Sequence, residues 1–372
     1  MKQIIYADNA ATTKLDIEAF EAMKPFLLDD YSNASQPYSF SRGAKKALKE
    51  ARQIIADCIN AEPEEIFFTS GGSESDNWAI KGVAYNGHQG EILTSEIEHH
   101  AVLRACEDVE KSGVTVGYLK PSNDGIISPE VLKNYISDNI KLVSIMLVNN
   151  EIGTIEPIKE LAAIAHKCGA VFHTDAVQAI GHLDIDVKDL GVDLLSASAH
   201  KFNGPKGVGF LYIKKGTNIN PFIFGGSQEF GYRAGTENVA GIVGMAIALQ
   251  NNCKNCGINN SHIALLEETL LNAITPISFV QNGACNHYNG ILSLSFPGHD
   301  GEAILHRMDL MGIAISTGAA CDSVNTKISH VLQSIQLDEF IAKGTIRISF
   351  GKNNDVNDAL TIAKALTKII SK

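Results

Sequence analysis

Between residues 65 and 215 the chain alternates short apolar runs with longer amphipathic stretches, and this alternation limits the fold more than any other feature. The apolar runs are rich in Ile, Val, Leu and Phe without strict polar alternation, which is typical of strands covered on both faces. They read EEIFFTS, GEILTSE, KLVSIMLVNN, AVFHTDA, DLLSASA and GVGFLYIKK. Helical stretches such as PIKELAAIAHKCG separate them, so the sequence predicts an α/β fold with a mostly parallel central sheet.

The pattern changes after about residue 250. SHIALLEETLLNAI is amphipathic, ILSLSFPG and GTIRISFG look like strands, and DVNDALTIAKALTKIISK reads as a final helix. Helices and strands without long α/β alternation predict a smaller α+β domain. A chain of 372 residues can form two such cores. We expect a large domain over 15–250 and a small domain formed by 1–14 with 251–372.

Charge and cysteine usage restrict the partners and the compartment. The chain has 31 basic and 42 acidic residues, a formal net charge of −11, which disfavours binding to nucleic acid or to an anionic membrane by bulk charge. No segment is long and apolar enough for a signal peptide or a membrane span. Seven scattered cysteines without a secretory signal predict free thiols and a cytoplasmic location.

Polar residues follow each predicted strand of the large domain. In open parallel sheets, ligands bind outside the carboxyl ends of the strands, so these residues predict a pocket: Gly71, Gly72, Ser73, His99, Asn149, Asn150, Glu151, Asp175, Gln178, Ser198, His200 and Lys201. In FFTSGGSESDN, two glycines before a helix offer backbone N–H groups to a phosphate. A plain serine cap of that helix is the alternative.

Three residues of this predicted pocket have side chains that could bind a cofactor or take part in catalysis. Lys201 in SASAHKFNGPKG could form an imine if its amine is partly desolvated, although an ordinary surface lysine is the alternative. Asp175 in VFHTDAVQAIG could pair with a protonated ring nitrogen, or could cap a helix beginning at AVQAIG. His99 in SEIEHHAVL could stack on a ring or transfer a proton. With the phosphate cup, these residues predict a site for pyridoxal 5′-phosphate (PLP).

Two cysteine motifs lie outside this pocket. Cys321 in STGAACDSVN (316–325) has small and polar neighbours, so we expect an accessible thiol, with an inert loop cysteine as the alternative. Cys253 and Cys256, with Cys285 and His287 further on, offer four zinc ligand types. No second C-x-x-C accompanies them, so we predict free cysteines and no metal.

Nine motifs occur in one order along nearly the whole chain: YADNAATT, TSGGSESDN, EHHAVL, VNNEIGTIEPI, HTDAVQAIG, SAHKFNGPKG, GGSQEFGYRAGTENV, STGAACDS and RISFG. With them the chain resembles class V (fold type I) PLP enzymes, and among these the cysteine desulfurases of the NifS/IscS type. The resemblance implies conversion of L-cysteine to L-alanine, with the sulfur held as a persulfide on Cys321. The stretch carrying this cysteine, about 318–330, resembles the NifS/IscS group in length.

The resemblance also implies a role for each site residue. Lys201 would hold PLP covalently, Asp175 would pair with its ring nitrogen, Gln178 would contact its phenolic oxygen, and His99 would stack on the ring and transfer protons. The residues expected at the phosphate are Gly72, Ser73, Ser198, His200 and, in a homodimer with a shared active site, Thr236 of the partner subunit. Those expected at the substrate carboxylate are Asn33, Arg347 and Asn150, the last also beside the cofactor.

Other functions stay open on the sequence alone. The sulfur acceptor is a protein of unknown identity, serving iron–sulfur clusters, a thio-cofactor or thio-tRNA. A selenocysteine lyase, or an aminotransferase in which Cys321 is idle, would use the same fold and cofactor. A non-catalytic relative is disfavoured because Lys201 and Asp175 are both present.

Overall fold

The computed structural model of the protein describes residues 4–87, 90–318 and 328–371. Its strands are β1 Ile5–Tyr6, β2 Ile66–Thr69, β3 Glu91–Ser95, β4 Thr115–Leu119, β5 Ile140–Ser144, β6 Val171–Asp175, β7 Leu194–Ser198, β8 Gly209–Ile213, β9 Val280–Gln281, β10 Leu292–Ser295, β11 Ile313–Ala314 and β12 Thr345–Ile348. Its α-helices are α1 Ile17–Leu28, α2 Arg42–Cys58, α3 Gly72–Ala84, α4 His100–Lys111, α5 Pro129–Tyr135, α6 Ile158–Lys167, α7 Val187–Leu190, α8 Val239–Lys254, α9 Cys256–Ile274, α10 Gly301–Leu310, α11 His330–Ser334, α12 Glu339–Ala342 and α13 Val356–Ile370.

The central sheet has the strand order β2-β8-β7-β6-β5-β3-β4. The pairs from β7 to β4 are parallel, and β8 is antiparallel to both of its neighbours. The strand β2 therefore runs in the same direction as β7, and the carboxyl ends of all these strands except β8 meet at one edge. The predicted α/β class with a mostly parallel sheet is confirmed.

The strand β4 is missing from the sequence prediction, and its position explains why. It lies at the edge of the sheet beside β3, and most of its residues are only partly buried. A strand covered on one side needs no continuous apolar run, so VTVGYL lacks the signal that the central strands give.

Apolar side chains on both faces of the sheet hold it between two layers of helices. Every residue of β7 and β8 is buried. Leu194 packs in a cluster with Trp78 of α3 and Val102 of α4, whereas Leu195 packs in a second cluster with Leu161 of α6. Successive side chains of a strand point to opposite faces, so burial on both sides requires the apolar runs seen in the sequence.

A separate apolar cluster forms from the C-terminal part of the chain. It joins α9, α10 and α13 with β10 and β12, while β1 pairs in parallel with β11 and adds the N-terminal segment. Helix α8 packs on α1 and α2, whereas α9 packs on α13. The chain therefore passes between the two clusters near Asn255, and the predicted domain boundaries at 14/15 and 250/251 stay a prediction.

The helices that the structure describes include none that is both long and apolar enough to cross a bilayer.

Candidate active site

A cleft of about 490 Å³ lies at the carboxyl edge of the central sheet. Pockets of roughly 300–1,000 Å³ accept small ligands and cofactors. The sequence-predicted residues that line it are Lys201, Asp175, Gln178, His99, Gly72, Ser73, Ser198, His200 and Asn150. The carboxyl ends of β2, β6 and β7 thus bring together residues that are far apart in the sequence.

One end of the cleft is the start of α3. Gly71 precedes the helix with φ +147°, and no side chain caps the helix there. A Cβ at Gly72 would lie 2.7 Å from Cγ2 of Val177, so the backbone here has no room for a side chain. The serine-cap alternative is therefore wrong. The start of this 13-residue helix presents its backbone N–H groups and its positive dipole end to the cleft.

Lys201 ends a short 3₁₀ turn after β7 and is partly buried. Its Nζ donates a hydrogen bond to the carbonyl oxygen of Ala10 at 2.5 Å. Gln178 Nε2 donates to the same oxygen at 3.0 Å. The N-terminal segment therefore fixes both side chains through one backbone carbonyl. No sequence pattern predicts this contact.

Asp175 is the last residue of β6 and is buried. Its Oδ1 accepts the N–H of Val177 at 2.9 Å. Residues 176–180 form a turn and not a helix, so the helix-cap alternative is wrong. Burial raises the pKa of Asp175 to about 6, while the Val177 hydrogen bond and the charge of Lys201 act to lower it. This carboxylate is thus held at the floor of the cleft near a cation.

Asp76 of α3 joins the same floor, and the sequence analysis missed it. Asp76, His99 and Asp175 each place one ligand-type atom within 4.8 Å of the others. Burial first, and then the charge of Asp175, hold the pKa of Asp76 well above its usual range. Two buried carboxylates this close do not both ionise readily, so we infer that Asp76 carries the proton. The spacing could have indicated that Asp76 belongs to the site, because it lies four residues after Gly72 and therefore on the same face of α3.

His99 directs its ring from the start of α4. Its Nδ1 accepts the N–H of Ala101 at 3.1 Å, so the hydrogen of the neutral ring lies on Nε2. Burial first, and then the charge of Lys201, lower the pKa of His99 to about 4. At neutral pH this imidazole is therefore uncharged, so it can lie against an aromatic ring, and a proton that it accepts is readily passed on because the charged ring is disfavoured.

This protonation state can be tested in the cofactor-free protein. We expect the His99 ring signals in ¹H–¹⁵N spectra to stay at their neutral position from pH 8 down to about pH 5.5, because the pKa lies below that range. The variant His99→Gln assigns the signals. A His99 ring that titrates between about pH 6 and 7 would contradict the inferred burial and the inferred effect of Lys201.

Arg347 of β12 lies beside the cleft and is buried. Its Nη1 donates to the carbonyl oxygen of Asn150 at 2.8 Å, and its Nη2 donates to Oδ1 of Asp8 at 2.9 Å. Its Nε is buried and has no hydrogen-bond partner within the described chain. A guanidinium has five N–H donors, so those not used by Asn150 and Asp8 suit the recognition of a carboxylate.

Of the predicted site residues in the described part of the chain, Asn33, Thr236 and Arg347 do not line the cleft, and neither do Asn149 and Glu151. Asn33 uses its Oδ1 to accept the N–H of Ser35 at 2.8 Å, and Thr236 is exposed; neither lines the cleft. Cys321 falls in 319–327, outside the described residues. Their roles stay predictions.

Among the described residues, no group of three or more possible metal ligands includes Cys253, Cys256, Cys285 or His287. The thiol of Cys253 is hydrogen-bonded with that of Cys58, and Cys256 Sγ donates to the carbonyl oxygen of His182 at 3.2 Å. His287 Nε2 lies 2.7 Å from Oε1 of Glu267. Each of these groups therefore has its own partner away from a common metal position.

Comparison with known proteins identifies the family. The family model "Aminotransferase class-V" matches residues 5–361. "Cysteine desulfurase IscS" of Clostridium botulinum is 48% identical over 379 residues, covering 100% of this chain and 96% of its own. Two solved structures are similar. A "NifS-like protein" is 35% identical with a TM-score of 0.94, and the match covers 99% of this chain and 100% of that one. "SspA in complex with cysteine" is 37% identical with a TM-score of 0.85, and the match covers 94% of this chain and 99% of that one. Because the family match spans nearly the whole sequence, this chain belongs to the class V aminotransferase family.

Proposed function

We propose that this chain is a PLP-dependent cysteine desulfurase, which converts L-cysteine to L-alanine and holds the sulfur as a persulfide on Cys321. The observation that carries the proposal is the single cleft that joins Lys201, the buried Asp175 and the start of α3 at Gly72. Relatives named as cysteine desulfurases, and the similar structure described in complex with cysteine, support the same reaction.

The family implies PLP, and the residues of the cleft fit it at both ends. The start of α3, where Gly72 leaves no space for a side chain, suits a phosphate, with Ser73, Ser198 and His200 beside it. The carboxylate of Asp175 suits a protonated pyridine nitrogen at the other end. Lys201 would hold PLP covalently, and Gln178 would donate to its phenolic oxygen.

When bound, PLP supplies an electron sink for the charge that develops at the substrate Cα. Asp175 would hold the proton on the ring nitrogen, since its own negative charge is favoured by Lys201. The Nζ of Lys201 would take the proton from Cα and return it at a neighbouring atom. His99, uncharged at neutral pH, would lie against the ring and accept or relay a proton.

The carboxylate of L-cysteine would be bound by Arg347, whose buried Nε has no hydrogen-bond partner within the described chain. Asn150 lines the cleft and accepts from the same guanidinium through its carbonyl oxygen. It would therefore orient Arg347 as well as contact the substrate and cofactor. Asn33 would add a further contact to the carboxylate, in exchange for its present hydrogen bond to Ser35.

The sulfur transfer balances without an external oxidant. The Cys321 thiolate attacks the substrate sulfur, a sulfur–sulfur bond forms, and the bond between sulfur and Cβ breaks with its electron pair passing to carbon. Protons complete alanine and the persulfide, so L-cysteine and one thiol give L-alanine and one persulfide. The sulfur is oxidised and Cβ is reduced.

The partners of the reaction follow from the same proposal. A homodimer would bring Thr236 of the partner subunit to the phosphate, which accounts for the exposure of Thr236 in one chain. The persulfide would pass to a protein acceptor, and the name of the Clostridium botulinum relative favours iron–sulfur cluster biosynthesis as the destination. Thio-cofactor and thio-tRNA pathways are the alternative destinations.

The test is a single-turnover reaction of the PLP-loaded protein with L-cysteine and no reductant. We expect one equivalent of alanine per site and the added mass of one sulfur atom on the peptide that contains Cys321. L-serine, which has no sulfur, is the control and should give neither product. Alanine formed without a mass change on that peptide would contradict the proposal and favour an aminotransferase or a lyase that does not use the thiol.

A further inference from the structure

Glu74 places a carboxylate at the end of the cleft where α3 begins. It is the acidic residue in the first turn of that helix, and it lines the cleft together with Gly72 and Ser73. Its Oε2 accepts the N–H of Ser70 at 2.8 Å, which fixes the carboxylate beside the backbone that precedes the helix. The positive helix end that favours Glu74 would also attract a phosphate, and two anions so placed repel each other.

A guanidinium pairs with this carboxylate. Arg233 donates from Nε to Glu74 Oε1 at 2.7 Å and from Nη2 to Glu74 Oε2 at 3.1 Å. Only 21% of the Arg233 side chain and 10% of the Glu74 side chain are exposed. Burial acts to raise the pKa of Glu74, but the hydrogen bonds from Arg233 and Ser70 hold it below its usual value. The carboxylate is therefore ionised at neutral pH, and the guanidinium balances its charge.

The position of Arg233 is set by contacts with α3 itself. The indole Nε1 of Trp78, on α3, donates to the carbonyl oxygen of Asn220 at 2.9 Å, and the ring of Phe222 stacks on the same indole. The N–H of Phe222 donates to the carbonyl oxygen of Tyr232, the residue before Arg233, at 2.9 Å. The segment 220–233 therefore docks on α3 and brings the guanidinium to the start of that helix.

The basic residues His200 and Lys206 also line the cleft, but they contribute less fixed charge than Arg233. Burial first, and then the charges of Lys201 and Lys206, lower the pKa of His200 to about 4, so this imidazole is uncharged at neutral pH. Lys206 is exposed, so solvent and salt screen its charge. Without Arg233, the ionised Glu74 would lie as an unpaired negative charge beside an incoming phosphate.

We propose that Arg233 makes the phosphate end of the cleft selective for the phosphorylated cofactor: by pairing with Glu74, it balances a negative charge that would otherwise repel the phosphate. This inference rests on the proposed function, since it concerns how the same cleft binds PLP. The first N–H groups of α3 have no partner within the helix, so they remain available to the phosphate once Glu74 is paired. Arg233 acts through Glu74 and is a positioning residue.

The test compares PLP with pyridoxal, which has the same ring and aldehyde but no phosphate. The cofactor-free full-length chain is titrated with each compound, and the absorbance of the lysine-bound form gives the dissociation constant. In Arg233→Ala we expect PLP to bind about 10- to 100-fold more weakly, the scale of one charge-assisted hydrogen bond. The dissociation constant of pyridoxal should stay within about twofold of the wild type.

Removal of the Glu74 charge should reverse this loss. Glu74→Gln keeps an acceptor for the Ser70 N–H but carries no charge, so the double variant with Arg233→Ala should recover most of the PLP affinity. Arg233→Lys keeps the positive charge and should bind PLP more tightly than Arg233→Ala. An ion pair that only anchored the segment 220–233 would give neither recovery.

The control is Arg307→Ala, which removes an exposed arginine of α10 and should leave both dissociation constants unchanged. Equal weakening of PLP and pyridoxal in Arg233→Ala would overturn the inference, and so would a double variant that binds PLP as weakly as Arg233→Ala. Should Arg233→Ala not fold, Arg233→Gln removes the charge while it keeps hydrogen-bond donors, and the same outcomes decide.

Inorganic phosphate gives a second measurement that does not depend on pyridoxal binding. Its competition with PLP should weaken in Arg233→Ala and return in the double variant with Glu74→Gln, and unchanged competition in Arg233→Ala would contradict the inference. Failure of the proposed function is distinguishable, because the wild-type protein itself would then form no alanine and no persulfide from L-cysteine.

Discussion

Lys201→Ala is expected to lower alanine formation from L-cysteine by about 10²- to 10⁴-fold, the scale on which a positioned acid–base group acts. The variant should also lose the yellow absorbance of lysine-bound PLP. Both effects have one cause, since the Nζ of Lys201 would bind the cofactor and then move the substrate proton. Its partial burial and its hydrogen bond to the Ala10 carbonyl oxygen keep this amine inside the cleft.

The matched control is the second lysine that lines the same cleft, Lys206. Lys206 is exposed to solvent, so its amine is hydrated and should not form the covalent bond. We therefore expect Lys206→Ala to keep the absorbance, and borohydride reduction of the wild type to label the peptide of Lys201. Labelling of Lys206, or normal absorbance in Lys201→Ala, would contradict the assignment.

The positions of Lys201 and Asp175 could be predicted because strand ends are visible in a sequence. The short strand signals that become β6 and β7 end close to chemically capable residues: Asp175 is the last residue of β6, and Lys201 comes shortly after the end of β7. Once the sheet is mostly parallel, those residues must share an edge. The start of α3 was predictable for the same reason, because two glycines follow the apolar run of β2.

Contacts that depend on tertiary packing could not be predicted in this way. The Ala10 carbonyl that fixes Lys201 comes from a segment nearly two hundred residues away. Asp76 was hidden inside α3, where an acidic residue usually indicates a solvated helix face, and only the approach of α3 to β6 turns it toward Asp175. The turn after Asp175 was ambiguous because AVQAIG has helical composition, and tertiary context overrode that preference.

Cys321→Ser is expected to abolish persulfide formation and to lower alanine formation by about 10³-fold or more, while leaving the binding of PLP intact. A serine hydroxyl stays protonated near neutral pH and is a poor nucleophile toward sulfur, whereas a thiolate is a strong one. The residues of the cleft are unchanged in this variant. L-cysteine should therefore still alter the PLP absorbance with its usual concentration dependence, and the reaction should stop before the sulfur leaves.

Cys285→Ser is the matched control, because Cys285 is the exposed thiol among the cysteines in the described part of the chain. If any accessible thiol could take the sulfur, Cys285 would substitute for Cys321, and the single variants would each keep part of the activity. We expect instead that Cys285→Ser forms alanine at the wild-type rate and that Cys321→Ser does not. Undiminished alanine formation in Cys321→Ser would remove sulfur transfer to this thiol from the mechanism.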